Sequence, residues 1–188
     1  EFSWLSGKIL NGDETDENRK IFDSSDVVII TFHFAEPISQ YKLEDFIIKY
    51  KKEKKIILLS NTNFYKSDFT YKKYGRYYNH LTLTDILILK KKGDDISIQD
   101  RILINKAHYE NRILIFDKVN KEIENLSSKF GVKYLRKQDF LCDYKKRLCD
   151  GITVNNKKIF SDYDHYTLDG AKHFGKKINR INWFKYDW

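Results

Sequence analysis

The chain has 188 residues, of which 41% are hydrophobic and 15% aromatic, and its formal net charge is +8. This composition excludes an intrinsically disordered chain, and no apolar run approaches the length that crosses a bilayer. The length fits one domain over residues 1–188 with a sizeable core. Because no recognisable nucleic-acid-binding module accompanies the positive charge, we expect no nucleic-acid partner.

The first half of the chain predicts a βαβ unit. Residues 1–25 are polar and lack a clear period. The β-branched segment 26–34 (DVVIITFHF) predicts a strand buried on both faces, and the segment 54–65 (KKIILLSNTNFY) predicts a second one. Between them, residues 43–53 (LEDFIIKYKKE) carry their apolar side chains on one helical face. This order and spacing predict parallel strands joined by a right-handed crossover.

The second half predicts a long helix and a third strand. Within residues 66–100, the tyrosine-rich segment 71–84 (YKKYGRYYNHLTLT) predicts a surface excursion, and the segment 86–95 (ILILKKKGDD) predicts a short strand or the end of a helix. From about residue 102 we expect a single longer helix, which ends where Gly131 takes the C′ position. The strand 132–135 (VKYL) follows. The sequence therefore predicts an α/β fold in which a mostly parallel sheet has helices on both faces, a three-layer sandwich.

The segment 152–160 (ITVNNKKIF) predicts a hairpin that turns on Asn155 and Asn156. The next segment, FSDYDHYTLDGAKHFGKKI over residues 160–178, places an acid–imidazole cluster in front of an amphipathic helix for which Thr167 is a good N-cap. Such a cluster is either a turn with capping residues or part of a reactive site. Its spacing alone leaves both interpretations open.

Two cysteines, Cys142 and Cys149, lie in the segment LCDYKKRLC. Their spacing does not fit a redox CxxC pair, and no second pair or histidine doublet indicates zinc. A short loop closed by a disulfide would imply an oxidising compartment. The alternative is a pair of reduced thiols packed beside neighbouring leucines, and composition leaves both possibilities open.

Candidate substrate-binding residues follow the two predicted parallel strands. In such sheets, chemistry gathers at the carboxyl ends of the strands. His33 follows the first strand, and Asn61 and Asn63 follow the second. The loop 160–165 is expected to reach the same edge, so these three side chains are our candidates for contact with substrate.

Taken together, these segments resemble the SGNH (GDSL-like) hydrolase family. The most similar branch forms the C-terminal domain of bacterial membrane O-acyltransferases of the acyltransferase-3 type, which act on surface polysaccharides. The resemblance rests on the D-x-x-H of Asp162 and His165, on the run Tyr166-Thr167-Leu168-Asp169-Gly170-Ala171 that follows, and on the cysteine pair shortly before. That branch typically has Leu and Ser where Tyr166 and Thr167 stand. The resemblance spans roughly residues 20–180 and implies an SGNH/flavodoxin-like three-layer fold.

The resemblance also implies a serine triad. A serine hydroxyl needs an imidazole to take its proton, and the imidazole needs a partner that fixes its tautomer and stabilises its cation. By resemblance, His165 is the general base and Asp162 the orienting acid, while Asp164 is a spectator or supports the helix N-terminus. No cofactor and no metal are implied.

The same resemblance implies a disulfide between Cys142 and Cys149 and an extracytoplasmic domain, which the full-length protein tethers to the membrane. The implied partners are a glycan acceptor, either a surface polysaccharide or a lipid-linked glycan, and an acyl donor delivered through a membrane acyltransferase domain. We expect the isolated domain to be monomeric.

The chain departs from the family pattern at its nucleophile. It contains no Gly-Asp-Ser, and the nearest string is Gly12-Asp13-Glu14. We therefore expect that this block lies upstream of residue 1 or has been lost. The family's Gly-x-Asn-Asp is also absent, and residues 31–34 (TFHF) stand in its place. Two alternatives follow, a non-catalytic glycan-binding or accessory domain and a magnesium-dependent phosphatase-like site at Asp162 and Asp164.

Overall fold

A computed structural model describes residues 16–31, 42–61, 83–89, 95–112, 115–161 and 165–184. In chain order, the helices of this part are α1 (Asp16–Ser24), α2 (Leu43–Tyr50), α3 (Leu83–Leu89), α4 (Ile98–Glu110), α5 (Ile115–Phe130), α6 (Gln138–Leu141) and α7 (Leu168–Arg180). The strands are β1 (Val27–Ile30), β2 (Lys55–Leu59), β3 (Lys133–Leu135), β4 (Cys142–Asp143) and β5 (Leu148–Cys149).

The chain forms two compact units, and each unit combines two separated segments. The first unit contains residues 1–61 and 114–136, and the second contains residues 62–113 and 137–188. The prediction of one domain over residues 1–188 stays a prediction.

The first unit is built on a parallel sheet with the strand order β1-β2-β3. Val28 of β1 pairs with Ile56 of β2, and the next residue of β2, Ile57, pairs with Lys133 of β3. All three strands were predicted from their apolar runs, and so was α2 between β1 and β2. Gly131 ends α5 with a φ of +66°, the left-handed conformation that the C′ position requires. The fold is therefore the mixed α/β type that the sequence predicts, consistent with an SGNH/flavodoxin-like fold.

The core of the first unit lies on one face of this sheet. Alternate residues of β2, Ile56 and Leu58, face the side chains of α1, α2 and α5, while Ile57 between them is also buried. The cluster contains Phe22, Val28, Ile30, Leu43, Phe46, Ile47, Tyr50, Ile56, Leu58, Val119 and Ile123. Because β2 is buried through both alternations, it needs the continuous apolar run that identified it in the sequence.

One helix was missed in the sequence and one helical prediction was wrong. Residues 16–24, which show no clear period, form α1, whose Phe22 lies in the core. The single helix expected from about residue 102 is two helices, α4 and α5. At the C-terminal end of α4, the backbone N–H of Asn111 donates to the carbonyl of Ala107 at 3.0 Å, and its side-chain amide donates to the same carbonyl at 2.8 Å. Ser97 begins α4 through a capping box with Asp100.

The second unit contains α3, α4, α6, α7 and the β4–β5 hairpin. β4 and β5 pair in antiparallel fashion, with Cys142 opposite Cys149. Phe140 of α6 packs against Phe174 of α7 and against Trp183, with ring centroids 5.6 and 4.9 Å apart. The predicted turn at Asn155 and Asn156 is present, because Ile152 and Lys158 form an antiparallel bridge and Asn156 has a φ of +59°.

Candidate functional site

Hydrogen bonds join Ser161, which directly precedes the D-x-x-H segment, to His165, the last residue of that segment. The carbonyl of His165 accepts from the N–H of Ser161 at 2.8 Å and from its hydroxyl at 3.1 Å. Next to them, Phe160 and Tyr166 form an antiparallel bridge. His165 itself is exposed. Its backbone is therefore held in place while the residue stays accessible from solvent, as a general base that meets a substrate requires.

Thr167 ties this segment to the start of α7, as the sequence predicts. Its hydroxyl donates to the carbonyl of Lys158 at 2.6 Å and accepts from the N–H of Gly170 at 2.9 Å. Its own N–H donates to the carbonyl of Ile159 at 2.8 Å. A Cβ at Gly170 would lie only 2.1 Å from that same carbonyl oxygen. Gly170 therefore lets α7 lie directly on the backbone of Ile159, shortly before residues 161–165, which we call the histidine loop.

A buried histidine supports the segment from another side. The Nε2 atom of His108 lies 2.8 Å from the hydroxyl oxygen of Thr84, which also donates to the carbonyl of Gly151 at 3.0 Å. The ring of His108 stacks on Phe160, with centroids 5.7 Å apart and an 18° interplanar angle. Burial lowers the pKa of His108 to about 3, so the ring is neutral at pH 7. A hydroxyl that is hydrogen-bonded to an imidazole resembles a nucleophile with its general base. However, Thr84 and His108 are only 0% and 1% exposed, so we assign them a structural role.

Asp150 forms a charged cluster with the far side of α7. Its Oδ2 atom lies 2.8 Å from Nε2 of His173 and 2.8 Å from Nζ of Lys177. Burial, the largest single influence, raises the pKa of Asp150. The hydrogen bonds from His173 and Lys177 and the electrostatic attraction of both partners together outweigh burial and leave this pKa below its ordinary value. The cluster connects α7 to the residue that follows Cys149. No short-range pattern in the sequence identifies a partner for His108 or His173, and the structure supplies Thr84 for the first and Asp150 for the second.

The expected disulfide is confirmed. Cys142 and Cys149 are bonded and join the first residue of β4 to the last residue of β5. Both cysteines are buried. The bond closes the hairpin directly before Asp150, so the backbone that carries this carboxylate is held in place by the disulfide.

The carboxyl end of β2 belongs to the first unit. The N–H of Ser60 donates to the carbonyl of Leu135 at 3.0 Å, and the N–H of Asn61 donates to Oδ1 of Asn120 at 2.7 Å. Ser60 and Asn61 are both fully buried. Ser60 directly follows the last residue of β2, and the role of Asn61 in substrate binding stays a prediction.

Other sequence-predicted site residues lie outside the described residues: His33, Asn63, Asp162 and Asp164, together with Gly12-Asp13-Glu14. In the described part of the chain, no group of three or more His, Cys, Asp or Glu side chains could hold a metal ion. The magnesium alternative at Asp162 and Asp164 stays a prediction. None of the helices in this part is long and apolar enough to span a membrane.

Comparison with protein families gives one match. The family model described as "SGNH domain (fused to AT3 domains)" matches residues 8–180. Searches of curated proteins and of solved structures returned no match. The matched range includes the parallel sheet, the disulfide hairpin, the histidine loop and α7. This chain therefore belongs to the family of SGNH domains that are fused to AT3 acyltransferase domains.

Proposed function

We propose that this chain is the domain that transfers an O-acyl group, in particular O-acetyl, to a bacterial cell-surface polysaccharide, or hydrolyses such an ester. It acts as the extracytoplasmic domain of a membrane acyltransferase. The observation that carries the proposal is the exposed His165, whose backbone is fixed by Ser161 at the base of the family's D-x-x-H segment. The family match supplies the acyltransferase context.

In the proposed mechanism, His165 takes the proton of a serine hydroxyl while that oxygen attacks the carbonyl carbon of an acyl ester. The carboxylate of Asp162 fixes the tautomer of the imidazole and stabilises its cation. The protonated His165 then donates its proton to the leaving alcohol, and an acyl-serine remains. A sugar hydroxyl, deprotonated by His165, attacks this ester and releases the serine, and water in its place gives hydrolysis.

The proposal assigns the serine to a block outside the described residues. His33, Asn61 and Asn63 would serve the acceptor, and no cofactor takes part. The disulfide between Cys142 and Cys149 supports the extracytoplasmic placement, since structural disulfides persist in oxidising compartments. Attachment to the membrane would come from the AT3 domain of the full-length protein.

The test uses the full natural protein that contains this chain and measures acyl transfer to polysaccharide together with hydrolysis of a soluble acyl ester. We expect His165→Ala and Asp162→Asn each to lower turnover by about 10³-fold or more, as removal of a triad member does. Lys176→Ala, an exposed change on α7, is the matched control and should leave turnover unchanged. Urea unfolding of His165→Ala should match the unsubstituted protein within about 0.5 kcal/mol, because removal of an exposed side chain costs little.

Full turnover in His165→Ala would exclude the proposed mechanism and favour the accessory, non-catalytic alternative. Phosphatase activity that requires magnesium and disappears in Asp164→Asn would favour the phosphatase-like alternative instead. Unfolding caused by His165→Ala would mean that the histidine is structural.

A further inference from the structure

We propose that a basic tyrosine patch beside the disulfide binds an anionic polysaccharide. The patch consists of Tyr109, Arg112, Tyr144, Lys145, Lys146 and Arg147, all within the second unit. This inference rests on the proposed function and specifies the class of acceptor, a glycan chain that carries acidic groups.

Three consecutive cations lie on a turn whose backbone is fixed. Residues 144–147 connect β4 to β5, and Lys145, Lys146 and Arg147 are all exposed. The disulfide closes the base of the turn, and the N–H of Lys146 donates to the carboxylate of Asp143 at 3.0 Å. Because the backbone that carries the cations is already ordered, little backbone entropy is lost when they bind a partner.

The patch has an excess of positive charge. Asp143 is the carboxylate next to the turn, and it contacts the ammonium of Lys146 at 3.5 Å. Lys145 and Arg147 have no carboxylate partner among the residues that the structure describes. A polymer with regularly spaced acidic groups can therefore neutralise the positive charges of Lys145 and Arg147.

Tyr144, at the first position of the turn, forms the aromatic part of the patch together with Tyr109 and Arg112. The rings of Tyr109 and Tyr144 meet edge to face, with centroids 5.8 Å apart. The guanidinium of Arg112 lies 3.9 Å from the centroid of Tyr109 and 5.4 Å from that of Tyr144, and the guanidinium of Arg147 lies 5.7 Å from the centroid of Tyr109. Tyr144 remains 37% exposed. A tyrosine ring offers both an apolar face for the C–H groups of a sugar and a polar tip for its hydroxyls.

The chemistry of the patch favours a polysaccharide over other polyanions. None of its six residues is aliphatic, so it lacks the apolar side chains with which a peripheral protein enters a bilayer. The disulfide indicates an oxidising compartment, which separates this surface from intracellular nucleic acids. An acidic glycan uses both components of the patch, because its charges meet the cations and its sugar rings meet the tyrosines.

The experiment measures binding by the chain with its disulfide intact. The probes are polygalacturonate, which is anionic, and dextran, which is neutral. We expect binding of polygalacturonate that weakens as the Debye length falls from about 10 Å at 0.1 M salt to about 3 Å at 1 M, and no binding of dextran. The double variant Lys145→Gln/Lys146→Gln should weaken binding about fivefold or more, since two exposed ion pairs are removed.

The matched control is Lys172→Gln/Lys176→Gln, which removes the same charge from exposed positions on α7. An equal loss of affinity in both double variants would overturn the inference, because net charge alone would then explain binding. Competition by anionic phospholipid vesicles or duplex DNA that exceeds that of polygalacturonate at equal charge would also overturn it. Tyr144→Leu should weaken binding while leaving the salt dependence unchanged, and full affinity in this variant would contradict the role of the tyrosine.

The binding measurement does not depend on turnover. His165→Ala should bind polygalacturonate as well as the unsubstituted chain does. Patch-dependent binding without acyl transfer would refute the proposed reaction alone, and acyl transfer without patch-dependent binding would refute this inference alone.

Discussion

Replacement of Gly170 by alanine should destabilise the protein by about 2–3 kcal/mol, because the added methyl group would collide with the backbone of Ile159. The added Cβ would lie 2.1 Å from the carbonyl oxygen of Ile159 and 2.9 Å from its C and Cα atoms. Non-bonded heavy atoms prefer separations of about 3.5 Å or more, so α7 would have to withdraw by about 1.4 Å to reach that separation. The obstacle is backbone, which cannot rotate away as a side chain can.

The magnitude follows from three contributions. Overpacking of this kind costs about 3 kcal/mol at the upper end of its usual range. Withdrawal of α7 would also stretch the 2.8 Å hydrogen bond from Thr167 to Ile159, a loss of about 1 kcal/mol. The helix propensity of alanine returns about 1 kcal/mol.

The same helix provides the control. A Cβ at Gly175 has no atom within 4 Å, so Gly175→Ala should stabilise the protein by about 0.5–1 kcal/mol. Urea unfolding followed by far-UV circular dichroism would compare the free energies of unfolding of both variants. If Gly170→Ala were as stable as Gly175→Ala, the close approach of α7 to Ile159 would be wrong, and with it the account of how the histidine loop is supported.

Three further changes test the second unit. Reduction of the bond between Cys142 and Cys149 should lower the free energy of unfolding by about 2.5 kcal/mol, while alkylation and mass analysis of unreduced protein should find both thiols protected. Because His108 stays neutral in the fold but takes a proton when unfolded, stability should fall by up to about 1.4 kcal/mol per pH unit from pH 6.5 towards the folded pKa of about 3, and His108→Gln should lose this slope in urea unfolding across that range. The lowered pKa of Asp150 means that its carboxylate stabilises the fold above about pH 4 and that this contribution is lost as the pH falls below that value. Asp150→Asn should therefore unfold more easily at pH 7 yet lose less stability on acidification, and equal acid sensitivity in both proteins would contradict this.

The parts of the fold that the sequence predicts are those where local pattern and tertiary role coincide. β2 is buried through both alternations, and its run of Ile and Leu has no polar interruption. The start of α7 was predictable because Thr167 caps it through a hydrogen bond to Gly170, three residues away.

The supporting contacts of the candidate site could not be predicted, because they join single polar residues far apart in sequence. Asp150 lies 23 residues before His173 and 27 before Lys177. The only local signal was that His173 and Lys177 occupy one face of a helix, which favours a shared acceptor without identifying it. In α4, the buried positions include Asp100 and His108 as well as Ile104, so no apolar period marks the true start of that helix.

The segments of the two units alternate along the chain, and this order has a consequence for synthesis. β2 lies between β1 and β3, but β3 leaves the ribosome after about 70 further residues, a delay of roughly 4 to 15 seconds at usual elongation rates. During this interval one edge of a strongly apolar strand has no neighbour, and such edges recruit strands from other chains. The cysteines, by contrast, are separated by only seven positions and can meet as soon as both are exposed. Nascent chains should therefore benefit from a chaperone that holds extended apolar segments until residue 135 has emerged.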